Sequence, residues 1–134
     1  NSKLNESALV QQLTSAWMAS HEGVPKWFAD GSGRSALATA VGLNDERVKP
    51  WMVRVGSVVN EMKDIKPFME GKMNDEEEAI VGFALVRTMQ SSGMKRQYDA
   101  IVKSLANGGS FDESFQQAIG PVDKFLAQAL GKKK

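Results

Sequence analysis

Apolar residues recur along this chain at spacings of three and four, and clusters rich in glycine, proline and asparagine interrupt them. No segment offers four clean alternations of apolar and polar positions, so the pattern predicts helices and no strands. Asn5 is a fair N-cap for a first helix to about Ser20, with an apolar stripe of Leu9, Val10, Leu13, Ala16 and Trp17. Gln11 and Ser15 share the neighbouring face, flanked by Gln12 and Thr14. Glu22-Gly23 closes that helix, and Pro25 suits the first turn of a second, which runs to Val41 and stops at Gly42. Within the second helix Gly31, Ser32, Gly33 and Ser35 are weak helix formers. Their expected role is to let another helix backbone come close; a loosened turn is the alternative.

The remainder of the chain continues in the same way. A helix from about Lys49 to Met62 turns Trp51, Val55, Val58, Val59 and Met62 inward, and Lys63 to Met73 reads as the longest irregular connection. Asn74 caps a helix to about Gln90, with Asp75, Glu76 and Glu77 in the first turn where the helix dipole favours anions. Ile80, Val81, Phe83, Ala84, Val86 and Met89 make this helix apolar nearly all round, so it is expected to be the most buried. A helix at about Lys95 to Ala106 follows, with Tyr98, Ile101, Val102 and Leu105 on one face. Ser110 and Glu113 are spaced as a capping box for the next, anchored by Phe111, Phe115, Ala118 and Ile119. Gly120-Pro121 turns into a last helix, Val122 to Leu130. The result is one all-α domain over residues 1–134, a bundle of six or seven helices.

Composition narrows the chemistry. At 134 residues, 42% apolar and 25% charged, the chain can bury a core as a single globular domain. A formal charge of +1 offers no general footprint for nucleic acid, and Lys132-Lys133-Lys134 reads as a frayed tail. With no cysteine, thiolate metal sites and thiol nucleophiles are excluded, and His21 is the single histidine. That histidine sits beyond a helix end, where it supports neither a triad nor a metal site. No apolar run approaches the roughly 18 residues of a membrane span. Trp17, Trp27 and Trp51 are expected as core anchors, and the Asp75 to Glu78 run as a helix start.

One stretch carries more information than composition does. Gln11-Gln12-Leu13-Thr14-Ser15 is followed fifteen residues after Ser15 by Asp30, within Val24-Pro25-Lys26-Trp27-Phe28-Ala29-Asp30-Gly31. This resembles the active site of the gluzincin zinc peptidases with its ligands replaced. There a His-Glu-x-x-His helix supplies two imidazoles and a general base, and a second helix brings a Glu. On that pattern Gln11 stands for the first His, Gln12 for the base, Ser15 for the second His and Asp30 for the Glu. Further along, Ala79-Ile80-Val81-Gly82-Phe83-Ala84-Leu85-Val86-Arg87-Thr88-Met89 and Gly93 resemble the long helix that follows in peptidase-MA-like proteins. Gly109-Ser110-Phe111-Asp112-Glu113-Ser114-Phe115 is similar to that family's closing turn and helix.

The resemblance spans about residues 8–130. It implies the helical, C-terminal half of such a domain, within a longer protein whose β-sheet half lies outside this sequence, and an extracytoplasmic bacterial setting. It also implies lost chemistry. An amide oxygen and a hydroxyl are poor zinc ligands, Asp30 alone does not hold the metal, and Gln12 cannot take a proton from a metal-bound water. No catalytic, metal or cofactor residue is therefore assigned. The expected role is a non-catalytic peptidase-like module for a protein or peptide partner, or for the remainder of its own chain. Two alternatives stand beside it: a weak or unusual metal-dependent hydrolase using Asp30, and a helical interaction domain unrelated to peptidases. The plain reading of Gln11, Gln12, Ser15 and Asp30 is a hydrogen-bonded polar layer between two helices.

Overall fold

The computed structural model describes residues 2–91 and 93–134, with side chains from Glu6 onward. Eight helices succeed one another among the described residues: α1 (Ser2–Ala19), α2 (Lys26–Val41), α3 (Lys49–Glu61), α4 (Lys66–Met69), α5 (Asp75–Met89), α6 (Lys95–Ala106), α7 (Phe111–Ala118) and α8 (Val122–Leu130). The all-α class is as the periodicity predicts.

Local chemistry sets most boundaries. The Asn74 side-chain oxygen accepts from the backbone N–H groups of Glu76 at 2.9 Å and Glu77 at 3.2 Å, capping α5. Ser110 Oγ accepts from the Glu113 N–H at 3.3 Å and does the same for α7. Pro25 is extended and stands just before α2, while Gly42, at φ +91°, ends it in a conformation that a side chain disfavours. α2 is unbroken through Gly31 and Gly33, so the alternative of a loosened turn is not realised.

Packing centres on α2 and α5, each with nine buried residues. The two helices meet backbone to backbone. A Cβ on Gly82 would overlap the Trp27 carbonyl oxygen, and one on Gly31 would overlap the Gly82 carbonyl oxygen. Around this crossing lies an aromatic cluster. Trp27 stacks against Phe28 at 5.6 Å and Phe68 at 5.7 Å between ring centres, Phe28 meets Phe111 at 5.0 Å, and Phe111 leads on to Phe115 at 5.5 Å. A smaller apolar cluster of Leu37, Ala38, Val48 and Phe83 sits beside it, with Trp51 edge-on to Phe83. Arg34 ties the two helices from the outside: it forks onto the Glu76 carboxylate and lies 4.6 Å from the centre of the Trp51 ring. That guanidinium holds the Glu76 carboxyl below its ordinary pKa.

Four expectations change. α1 begins at Ser2, so Asn5 lies inside it rather than capping it. The connection read as irregular holds the short helix α4, whose Phe68 is fully buried against Trp27; one buried ring gives that turn its place. With α4 the bundle has eight helices rather than six or seven. The lysine tail is held, not frayed: the Lys133 carbonyl accepts from the Ile65 N–H at 2.9 Å, and Lys134 pairs with Asp123 at 3.6 Å.

The crossing makes a direct prediction. Gly82→Ala should lose at least about 1–3 kcal/mol in urea unfolding, because backbone must move to admit the methyl group. Gly56→Ala, on α3 with open space around it, should gain about 0.5–1 kcal/mol.

A candidate functional site at the contact of α1 with α2

α1 lies on α2 through its small and polar side. A Cβ on Gly33 would overlap Ser15 Oγ and would stand 2.7 Å from the Gln11 carbonyl oxygen, so the two helix axes approach as closely as a side-chain-free position allows. Gln11 and Ser15 are half-buried at this contact, while Gln12 is exposed. Asp30 stands on α2 one turn before Gly33, half-buried. The fold thus sets Gln11 and Ser15 against the helix that carries Asp30 and leaves Gln12 turned to solvent. Among the described residues no hydrogen bond or ion pair joins Asp30 to Gln11, Gln12 or Ser15, so the expected hydrogen-bonded layer is instead a close van der Waals contact. Also among the described residues, no three of His, Cys, Asp and Glu are grouped as a metal ion requires.

The apolar stripe of α1 is the clearest correction. Leu9 is 52% exposed, Leu13 60% and Trp17 39%, with Val10 and Ala16 also outside; Met18 is the buried apolar residue of the described part of α1. Trp17 is therefore not a core anchor, whereas Trp27 is, and Trp51 is half-buried. The cause is the surface α1 rests on. Gly33 offers a notch, and short side chains such as Ser15 bring the helices closer there than leucines could.

The field of Asp30 is felt by a cation of its own helix and by a carboxyl of α5. Its carboxylate acts on Lys26 and on Glu78, and Lys26 pairs with Asp75 at 3.0 Å. Glu78 is buried, and desolvation pushes its carboxyl above the ordinary value; Asp75 and Asp30 add to that shift while Lys26 opposes it. Reading Asp75 to Glu78 as a helix start missed this residue. The signal was present: Glu78 precedes Gly82 by four positions, on the face that meets α2. His21 stays at the end of α1, its Nδ1 2.6 Å from the Trp17 carbonyl oxygen and its ring 4.1 Å from the Trp17 ring.

No helix among the described residues is long and apolar enough to cross a membrane. Compared with known proteins, the chain matches no family model, no curated protein and no solved structure.

Two outcomes follow from this geometry. Gly33→Ala should destabilise the fold by about 1–3 kcal/mol, whereas Leu13→Glu should stay within about 0.5 kcal/mol of the parent. Equal losses for the two in chemical denaturation would mean that the α1 stripe faces inward. The second concerns pH. Because the folded carboxyl of Glu78 holds its proton more tightly than the unfolded one, its contribution falls as pH rises from the usual glutamate range through the folded pKa. The stability advantage of Glu78→Gln over the parent should therefore grow with pH across that window, as read by urea midpoints.

Proposed function

We propose that this chain is a non-catalytic, peptidase-like helical domain that works as a structural or binding module. The observation that carries this reading is the orientation of α1. A helix that serves only to close a bundle turns its apolar stripe to the core. Here Gln11 and Ser15 meet α2, and Leu9, Leu13 and Trp17 remain open to a further surface. A protein or peptide partner, or another part of the same polypeptide, covers that stripe in the working assembly.

The chemistry of the four positions supports the non-catalytic side. Gln11 and Ser15 offer neutral oxygens where a zinc peptidase needs imidazoles, and Gln12 has no basic atom to activate water. The resemblance to gluzincins accounts for why the polar residues Gln11 and Ser15 occupy an inter-helix contact facing the helix of Asp30.

Zinc titration calorimetry on the metal-stripped chain, with a quenched-peptide hydrolysis assay at saturating zinc, manganese and calcium, tests the reading. The expected result is no stoichiometric zinc and no chelator-sensitive turnover. One zinc per chain that disappears in Asp30→Ala, or hydrolysis abolished by a chelator, would replace it with the metallohydrolase reading.

A further inference from the structure

On the side of the bundle formed by α2, α5 and α6 lies an open pocket of about 480 Å³ that α1 does not line. Its floor is a polar network. Tyr98 donates to Ser32 Oγ at 2.9 Å, Ser35 donates to the Gln90 side-chain oxygen, and Arg87 Nη1 donates to Thr39 Oγ1 at 3.1 Å and to Ser35 Oγ at 3.4 Å. Burial holds the Tyr98 phenol above its ordinary pKa, so it stays a neutral donor and adds no negative charge.

Arg87 is the unusual member. Its guanidinium has five N–H donors, and the bonds it makes engage one nitrogen and end on neutral hydroxyls. Among the described residues no carboxylate pairs with it, although it is half-buried. Arg34 is neutralised by Glu76 and Arg47 by Asp45, whereas Arg54 and Arg96 are exposed to solvent, so Arg87 is set apart by being half-buried without a paired carboxylate among the described residues. Its place in the last turn of α5 favours a cation there but supplies no acceptor for the remaining donors.

Two further donors border the same space. Thr39 accepts from Arg87, which leaves its own hydroxyl hydrogen available. Lys95 lies on the rim, 3.2 Å from Asp99; both are well over half exposed, so this pair is screened and exchanges readily with another anion. Asp99 is the opposing charge at the pocket, and it balances Lys95 rather than Arg87. The Ser91 hydroxyl is committed to the Thr88 carbonyl at 2.6 Å. What remains is one unneutralised guanidinium fork, a free hydroxyl and a displaceable ammonium around a solvent-filled hollow. That set matches an oxyanion carrying more than one negative charge.

We propose that the Arg87 pocket is a binding site for the phosphate group of a small ligand, held by Arg87, Thr39 and Lys95. The site is independent of the α1 surface and of any peptidase ancestry.

Amide NMR of the whole chain, titrated with inorganic phosphate at constant ionic strength, tests this. Saturable shifts at Thr39, Ser91, Lys95 and Tyr98 are expected, with chloride producing none. Arg87→Gln should weaken binding about tenfold or more, the scale of a charge-assisted hydrogen bond. Since Arg87 also joins α2 to α5, Lys95→Ala serves as the second variant: it leaves that junction intact and should weaken phosphate severalfold with the remaining spectrum unchanged. Shifts that do not saturate, unaltered affinity in both variants, or acetate binding as tightly as phosphate would each overturn the assignment.

Discussion

The close approach of α2 to two neighbours at once is the constraint on which the rest of the molecule depends. On one side Gly31 and Gly82 let α2 and α5 touch through their backbones, and on another Gly33 receives Ser15 and the Gln11 carbonyl of α1. Such contacts leave no tolerance in axial position, because a helix that slides by one residue puts a side chain where only hydrogen fits. The crossing therefore sets the register of everything else on α2. Trp27 and Phe28, ahead of the glycines, enter the aromatic cluster with Phe68 and Phe111. Arg34, Ser35 and Thr39, beyond them, meet Glu76 of α5, Gln90 at its C-terminal end and Arg87 of α5.

The same constraint explains the inverted helix α1. Apolar burial ordinarily decides which face of a helix turns inward, at about 1.5–3 kcal/mol for each large side chain. At α1 that preference is outweighed by the shape of the surface it meets, where a glycine notch takes a serine and the backbone beside it. Four large apolar side chains are left outside, Leu9, Val10, Leu13 and Trp17, which is the feature that points to a partner surface. Ser15 and the backbone of Gln11 thereby have a mechanical use: they let two helices lie close.

Charge is arranged around this frame in two distinct groups. Near the start of α5, Lys26, Asp30, Asp75 and the buried Glu78 influence one another, and Arg34 anchors Glu76 beside them. Toward the end of α5, Arg87 meets hydroxyls alone. The first group is net acidic, with Lys26 and Arg34 facing four carboxyls, whereas the second leaves a positive group whose donors are not all used. Stability and ligand recognition are thus assigned to opposite ends of one helix.

Helix class, the ends of α2, α5, α6, α7 and α8, and the caps at Asn74 and Ser110 were legible in the sequence, because each depends on residues within one or two turns of each other. The glycine and serine run of α2 was also legible as a place for close packing, since absence of a side chain is itself a local property. The orientation of α1, the core role of Phe68, the burial of Glu78 and the anchoring of the last lysines were not. Each is fixed by a partner distant along the chain: Gly33 for Ser15, Trp27 for Phe68, the α2 face for Glu78, and Ile65 for Lys133. Sequence alone determined which of the longer segments become helices, as backbone propensity and capping act over a few residues, while the short α4 took its place from the burial of Phe68. Tertiary structure decided which face each helix buries, as that depends on the shape of the surface brought against it.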